Sequence, residues 1–259
     1  FWAVHQKTKY NYMIKEKFKV YIINLKDSEE RRKSILNEIK KQKITNYEFI
    51  EAVDGNKLTE EELKIHTFKN KKNLNPWGPE LTPSQVGCAL SHINIYKELI
   101  KSKQDFALIL EDDAIFINDL TENLENLILK NLKYKKQIIL LSELKEFLSN
   151  PVDKNNDHEI VNVTNAFFTH SYFINKEAAK SIIKFNYPLK TVADNFVFFK
   201  IYCDIKLIGL NPFLLEQNKK EFKTLIDLQY KYEKNFLLKR SLYKIKNKIL
   251  KRFLNFNGH

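Results

Sequence analysis

The sequence predicts an α/β fold, with a parallel or mixed sheet carrying helices on both faces. Short apolar runs alternate with amphipathic stretches along most of the chain, the pattern of strand–helix repeats. The run Phe106-Ala-Leu-Ile-Leu is short and apolar throughout, as a strand buried on both faces requires. It leads directly into three acids, Glu111, Asp112 and Asp113. Three adjacent carboxylates cannot share a buried site unpaired, because desolvation and mutual repulsion would protonate them. They therefore belong at the strand's carboxyl end, where open α/β sheets place their ligand crevice. A divalent cation bound through hard oxygens is the obvious neutraliser. A solvated acidic turn after a core strand is the plain alternative.

The elements follow in order. Val20–Leu25 reads as a buried strand, and Ser28 as the N-cap of a helix with Arg31 and Arg32 in its early turns. Tyr47–Ala52 reads as a second strand ending in the turn signal Val53-Asp54-Gly55. A short helix begins at Thr59, and residues 66–81 read as an irregular loop. Thr82-Pro83 opens a strong helix, with proline suited to the first turn. Its Val86, Ala89, Leu90, Ile93, Tyr96, Leu99 and Ile100 recur at helical spacing. After the acidic-ended strand come a helix near 121–132, a strand at Gln137–Leu141 and a polar loop at 149–158. Strands near 159–163 and 170–174 precede a helix at 175–185, which Pro188 breaks. A helical segment from about Asp194 and a strand at Ile205–Gly209 complete the body.

Bulk composition narrows the class. The chain has 259 residues, 43% of them hydrophobic, enough for one large domain or one and a half. No apolar run reaches the ~18 residues of a spanning helix. Cys88 and Cys203 lie far apart, so neither a disulfide framework nor a zinc site is indicated by spacing. No signal peptide is visible, and a reducing cytoplasmic setting is expected. Met13, the only methionine, begins a stretch that looks like a natural start. Residues 1–12 are therefore expected to be an extension outside the fold.

The net charge of +12 is concentrated near the end of the chain. Residues 231–252 hold nine Lys or Arg against Glu233 alone, a balance of +8. On a helical wheel Leu238, Leu242, Ile245, Ile249 and Phe253 form an apolar stripe, with Lys234, Arg240, Lys244 and Lys248 opposite. Segment 231–259 is thus expected to be a basic amphipathic helix lying on an anionic membrane. A C-terminal helix packed on the domain is the plain alternative. Nucleic-acid binding is the third reading, without a motif to support it.

Other candidates are weaker alone. Gly87 sits inside the helix preceding the acidic strand, where Gly costs roughly 1 kcal/mol against Ala, so close approach of backbone or ligand is expected. Ser91 and His92 lie near it on a small-residue face that would border a nucleotide or sugar. A tightly packed helix with a hydrogen-bonded core histidine explains them equally. Asp194 alone reads as a helix N-cap.

Together the motifs form a recognisable series. Val-Tyr-Ile-Ile-Asn-Leu-Lys-Asp-Ser-Glu-Glu-Arg-Arg (20–32), Phe-Ile-Glu-Ala-Val-Asp-Gly (49–55), Gly-Cys-Ala-Leu-Ser-His (87–92) and Ala-Leu-Ile-Leu-Glu-Asp-Asp-Ala (107–114) occur in that order. The series resembles glycosyltransferase family 25, the bacterial lipooligosaccharide galactosyltransferases and their collagen-modifying relatives. Thr169-His-Ser-Tyr-Phe-Ile resembles a later strand of that family, and Asp194 the acid of its Pro-Val-Asp segment, which reads Thr191-Val-Ala-Asp here.

The resemblance implies a GT-A type catalytic domain over 13–230, a UDP-sugar donor, usually UDP-galactose, and inversion at the anomeric carbon. It implies Mn²⁺ or Mg²⁺ on Glu111 and Asp113, with Asp113 the direct ligand. Asn24, Arg32, Asp54, Gly55, Gly87, Ser91, His92 and Asp112 are expected to border the nucleotide, and Asp194 to act as base. The acceptor would be a lipooligosaccharide or lipopolysaccharide core, met at the inner face of the cytoplasmic membrane. A catalytically silent sugar-nucleotide binder and a metal-dependent nucleotidyl or phosphoryl transferase are the competing functions. The missing Gly-rich phosphate loop weighs against common forms of the latter.

Overall fold

In a computed structural model, the described residues are 18–69, 80–166, 170–219 and 221, with the single positions 241, 242 and 245. Nearly all of segment 231–259, and the extension 1–12, therefore lie outside the described residues.

The chain opens with β1 (Phe18–Asn24), α1 (Glu29–Lys41) and β2 (Tyr47–Glu51). After a 3₁₀ turn at Gly55–Lys57 come α2 (Glu60–His66), α3 (Pro83–Lys101) and β3 (Phe106–Glu111). Then follow β4 (Ala114–Phe116), α4 (Glu122–Asn131), β5 (Gln137–Leu140), β6 (Glu146–Phe147) and β7 (Asp153–Lys154). The described body ends with β8 (Glu159–Asn165), β9 (Ser171–Asn175), α5 (Lys176–Asn186), α6 (Phe196–Tyr202), β10 (Lys206–Asn211) and β11 (Leu215–Gln217).

The central sheet runs β2-β1-β3-β9-β5-β10-β8-β6, with β7 paired to β8. Strands β2, β1 and β3 are mutually parallel, as are β5 and β10, while β9 runs against both β3 and β5. The sheet is thus mixed: most strands run one way, with β9 antiparallel between the parallel blocks β2-β1-β3 and β5-β10. Helices α3, α5 and α6 cover one face, where Val86, Leu90, Ile93 and Phe196 meet Tyr21, Ile109 and Ile174. Helices α1 and α4 cover the other, where Ile35, Ile39, Leu124 and Ile128 meet Val20, Ile22, Leu108 and Leu110.

Local signals placed most of the elements. Thr82 and Gln85 form a reciprocal capping box, with Pro83 in the first turn of α3. Thr59 and Glu62 do the same for α2. Ser28 stands at the N-cap of α1, but its side chain makes no capping bond. Its carbonyl instead accepts from Asn24 Nδ2 at 3.2 Å. The cap of α6 falls on Asn195, whose Oδ1 accepts from Phe198 N, so the expectation that Asp194 caps it is displaced by one residue.

The short strands escaped the sequence reading. Within the expected polar loop 149–158, Asp153–Lys154 pairs with β8, and β4 pairs antiparallel with β11 as a separate ribbon. Two- and three-residue strands carry no periodic signature; their partners decide them.

Candidate active site

Parallel register brings three strand ends to one edge. Ile23 pairs with Glu111, and Asn24 with Glu51. Beyond those ends opens a cavity of about 450 Å³. Its lining includes Asn24, Ser28 and Arg31 from the first strand–helix unit, and Asp54, Gly55 and Asn56 after β2. Cys88, Ser91 and His92 of α3, the triplet Glu111–Asp113 and Gln217 close it.

The triplet is held in three different ways. Asp112 is fully engaged: Asn24 Nδ2 donates to Oδ2 at 2.8 Å and Arg31 Nη1 to Oδ1 at 2.9 Å. Asp113 Oδ2 accepts from Gln217 Nε2 at 2.9 Å and lies 3.4 Å from Arg31 Nη1. Its Oδ1 is buried and has no hydrogen-bond partner among the described residues. Glu111 Oε1 lies 3.3 Å from His92 Nε2. Burial raises the carboxyl pKa of Asp112, against the pull of Asn24 and Arg31. Burial, then the Glu111 charge, push Asp113 up to about 6. When ionised, the triplet outweighs Arg31 by two negative charges, which matches one divalent cation.

Several expected residues do line this cavity: Asn24, Asp54, Gly55, Ser91, His92, Glu111, Asp112 and Asp113. Asp54 also caps the 3₁₀ turn, its Oδ1 accepting from Asn56 N at 3.1 Å. Two expectations are corrected. Arg32 turns away and stacks its guanidinium 3.7 Å from the Phe49 ring, while Arg31 enters the cavity. Ser28 and Arg31 stand three residues apart on one helix face, and both line the cavity.

Gly87 does not line the cavity either. A Cβ there would stand 2.4 Å from Val53 O and 2.5 Å from Gly55 N. Its close approach is therefore to backbone, and Ser91 locks the same contact. Val53 N donates to Ser91 Oγ at 2.9 Å, and that hydroxyl donates to Gly87 O at 2.7 Å. Asp194 is half-buried and outside the cavity lining. Two residues on, the Phe196 ring packs edge-on against Tyr172 at 5.4 Å.

Two contacts of the candidate site were missed. Gln217 lies 104 residues from Asp113 in sequence and reaches it only through the β4–β11 ribbon. Tyr172, on the antiparallel β9, places its hydroxyl 2.7 Å from His92 Nδ1. Neither leaves a local signal.

The arginine correction makes a prediction. Arg31→Met leaves two buried carboxylates without their cation and is expected to cost about 2–3 kcal/mol, at or just below the ~3–5 kcal/mol of a fully buried broken pair because Arg31 is 13% exposed. Arg32→Met loses a cation–π contact worth about 1 kcal/mol or less. Thermal melts of the two variants side by side check this; equal losses would contradict the geometry.

The chain matches the family described as Glycosyltransferase family 25 (LPS biosynthesis protein) across residues 17–197, well over half its length. It belongs to glycosyltransferase family 25. This family 25 glycosyltransferase is 26% identical over 177 residues to human procollagen galactosyltransferase 2, covering 64% of this chain and 27% of that protein. It is 28% identical over 186 residues to a mimivirus protein named procollagen lysyl hydroxylase and glycosyltransferase, covering 65% and 20%. A Haemophilus influenzae protein named as a glycosyltransferase is 27% identical over 207 residues, covering 76% and 70%. The chain thus spans about a quarter of the human relative's length. Among solved structures, S. aureus TarS in complex with UDP-GlcNAc is 14% identical, covering 80% of this chain and 62% of that one. Its TM-score of 0.38 is too slight a likeness to bear on fold or ligand.

Proposed function

We propose that the protein is an inverting, GT-A type glycosyltransferase that moves galactose from UDP-galactose onto a lipooligosaccharide or lipopolysaccharide core. The observation that carries this reading is the excess negative charge at the end of β3, inside a cavity bordered by Arg31 and the Asp54–Asn56 turn. A diphosphate would be repelled there unless a divalent cation stood between. The donor set fits Mn²⁺ or Mg²⁺: it is hard oxygen, and Asp113 Oδ1 is a buried acceptor with no hydrogen-bond partner among the described residues. Asp112 already uses both oxygens, so Glu111 and Asp113 would hold the ion. When bound, it would stabilise charge developing on the departing diphosphate.

The remaining roles fall to the chain itself. Asn24 and Arg31 fix Asp112, and Arg31 offers a guanidinium suited to phosphate. The Asp54–Asn56 turn borders the cavity, and the missing side chain of Gly55 lets that turn pack against Pro83 O, where a Cβ would stand 1.7 Å away. In the transfer step the acceptor oxygen bonds to the anomeric carbon as the carbon–diphosphate bond breaks. Asp194 takes the hydroxyl proton.

Turnover measured with a panel of UDP-sugars and Mn²⁺ tests the donor, with UDP-galactose expected to lead. Absence of both turnover and UDP binding across the panel would overturn the reading. Asp194→Asn should slow transfer by roughly 10²-fold or more while donor affinity and melting temperature hold, since Asn195 carries the helix cap. An unchanged rate removes Asp194 as base.

Segment 231–259 is proposed to bring the enzyme to the anionic inner face of the cytoplasmic membrane. Its +8 balance over 231–252 supports this, at roughly 1 kcal/mol per basic residue near such a surface. No helix among the described residues is long and apolar enough to cross a membrane. Deleting 231–259 should abolish sedimentation with anionic liposomes and spare transfer to a soluble acceptor. Full-length protein that ignores those liposomes at low salt would refute the idea.

A further inference from the structure

Cys88 and His92 stand one turn apart on α3 and meet the end of β3. Cys88, His92 and Glu111 offer ligand atoms that all lie within 4.8 Å of one another. Thiol sulfur, imidazole nitrogen and carboxylate oxygen form a donor set for tetrahedral zinc, with bonds of about 2.0–2.3 Å. Ligand atoms at those lengths stand roughly 3.4–3.6 Å apart around the ion. His92 Nε2 and Glu111 Oε1 are already at 3.3 Å, so closing the site falls mainly to the Cys88 side chain.

A second observation points the same way. His92 is buried, and its other nitrogen, Nδ1, lies 2.7 Å from the Tyr172 hydroxyl. That hydroxyl lies 2.7 Å from the hydroxyl of Tyr96, also buried. Metal-binding histidines are oriented by a partner on the nitrogen that does not ligate, and that partner tunes affinity. The tyrosine pair can serve either state. Without metal, Nε2–H donates to Glu111 and Tyr172 donates to Nδ1. With metal on Nε2, the histidine proton sits on Nδ1 and donates to Tyr172, which turns its own hydrogen to Tyr96. The thiol proton of Cys88 passes to solvent, as metal–thiolate bonding requires.

We propose that Cys88, His92 and Glu111 form a site for one thiophilic divalent cation of the zinc class, distinct in chemistry from the hard-oxygen site on Glu111 and Asp113 but sharing Glu111 with it. Filling it withdraws Glu111 from the acidic cluster and inhibits transfer. The binding half stands on geometry alone, whereas the inhibitory half rests on the proposed function. Mn²⁺ and Mg²⁺ prefer oxygen ligands and bind thiolate poorly, so the two cation classes separate by chemistry.

The test uses the full chain stripped of metal and titrated with Co²⁺, a spectroscopic stand-in for zinc. One equivalent should produce a sulfur-to-cobalt charge-transfer band that Zn²⁺ displaces. The band should vanish in Cys88→Ala and persist in Cys203→Ala, the second thiol being buried at the end of α6. Cys88→Ser, nearly isosteric, gives the same loss should the alanine variant not fold. Tyr172→Phe should weaken binding by about 10-fold or more, the scale of a lost partner to a ligating histidine. A wild-type protein without the band overturns the site, as does a band that survives Cys88→Ala or disappears in Cys203→Ala.

For the inhibitory half, one equivalent of Zn²⁺ should reduce Mn²⁺-supported turnover by about 10-fold or more in wild type. Cys88→Ala, compared with its own zinc-free rate, should be much less sensitive. Equal inhibition of both proteins overturns that half and leaves the cobalt result standing.

Discussion

Asp113→Asn lowers sugar transfer by about 10²-fold or more, the scale of removing a key electrostatic element, while the fold stays intact. The substitution keeps the shape and the acceptor for Gln217 Nε2, and removes only the charge. Stability separates this loss from unfolding. The folded-state pKa of Asp113, about 6, lies above the ordinary 3.8. The native protein therefore holds a proton that the unfolded chain releases across that interval. Linkage then makes the cation-free wild type lose stability as pH rises from about 4 to about 6, and stay lower above it. Asparagine is neutral throughout, so at pH 8 the variant should be more stable than cation-free wild type by on the order of 1–3 kcal/mol. The advantage should disappear below about pH 4. Melting curves at the two pH values, with turnover on the same samples, measure both effects. A variant that melts lower at pH 8, or that turns over normally with saturating donor, would remove Asp113 from the role of ligand.

Gly87→Ala has a large structural effect. Helix propensity alone favours alanine by roughly 1 kcal/mol. The new Cβ, however, would stand 2.4 Å from Val53 O, 2.5 Å from Gly55 N and 2.9 Å from Gly55 Cα. All three are backbone atoms, which cannot swing aside as a side-chain tip can. The overpacking penalty of about 3 kcal/mol wins, leaving a net loss of about 2 kcal/mol and a melting drop of several degrees. Donor affinity falls as well, because displacing Val53–Gly55 moves a wall of the cavity. Gly55→Ala is harsher, with its Cβ 1.7 Å from Pro83 O. Isothermal titration with UDP beside the melts would check the link between packing and binding. A Gly87→Ala protein that is more stable than wild type would show that the loop yields, and that propensity decides.

Much of this was legible from local pattern. The five apolar residues of 106–110 followed by three acids fix a buried strand with a charged end, because burial and carboxylate desolvation admit few other arrangements. Capping chemistry at Thr59 and Thr82, helical periodicity over 86–100 and the order of the motifs carried the element boundaries and the family. Gly87 announced a close approach, although not that the partner was the backbone of residues 53–55.

What tertiary structure alone decided is how the acids are neutralised and which neighbours reach them. Arg31 rather than Arg32 enters the cavity because one residue of helix rotates a side chain by about 100°, which the two adjacent arginines leave open in sequence. Gln217 arrives from the far end of the described body through a three-residue ribbon, too short to carry a period. Tyr172 meets His92 because β9 runs antiparallel between β3 and β5, a pairing between segments distant in the chain. Local propensity and burial act over a few residues and are written in the sequence. Contacts between distant elements are set by which surfaces pack together, and here strand β1, helices α1 and α3 and the β4–β11 ribbon supply the partners of the three carboxylates.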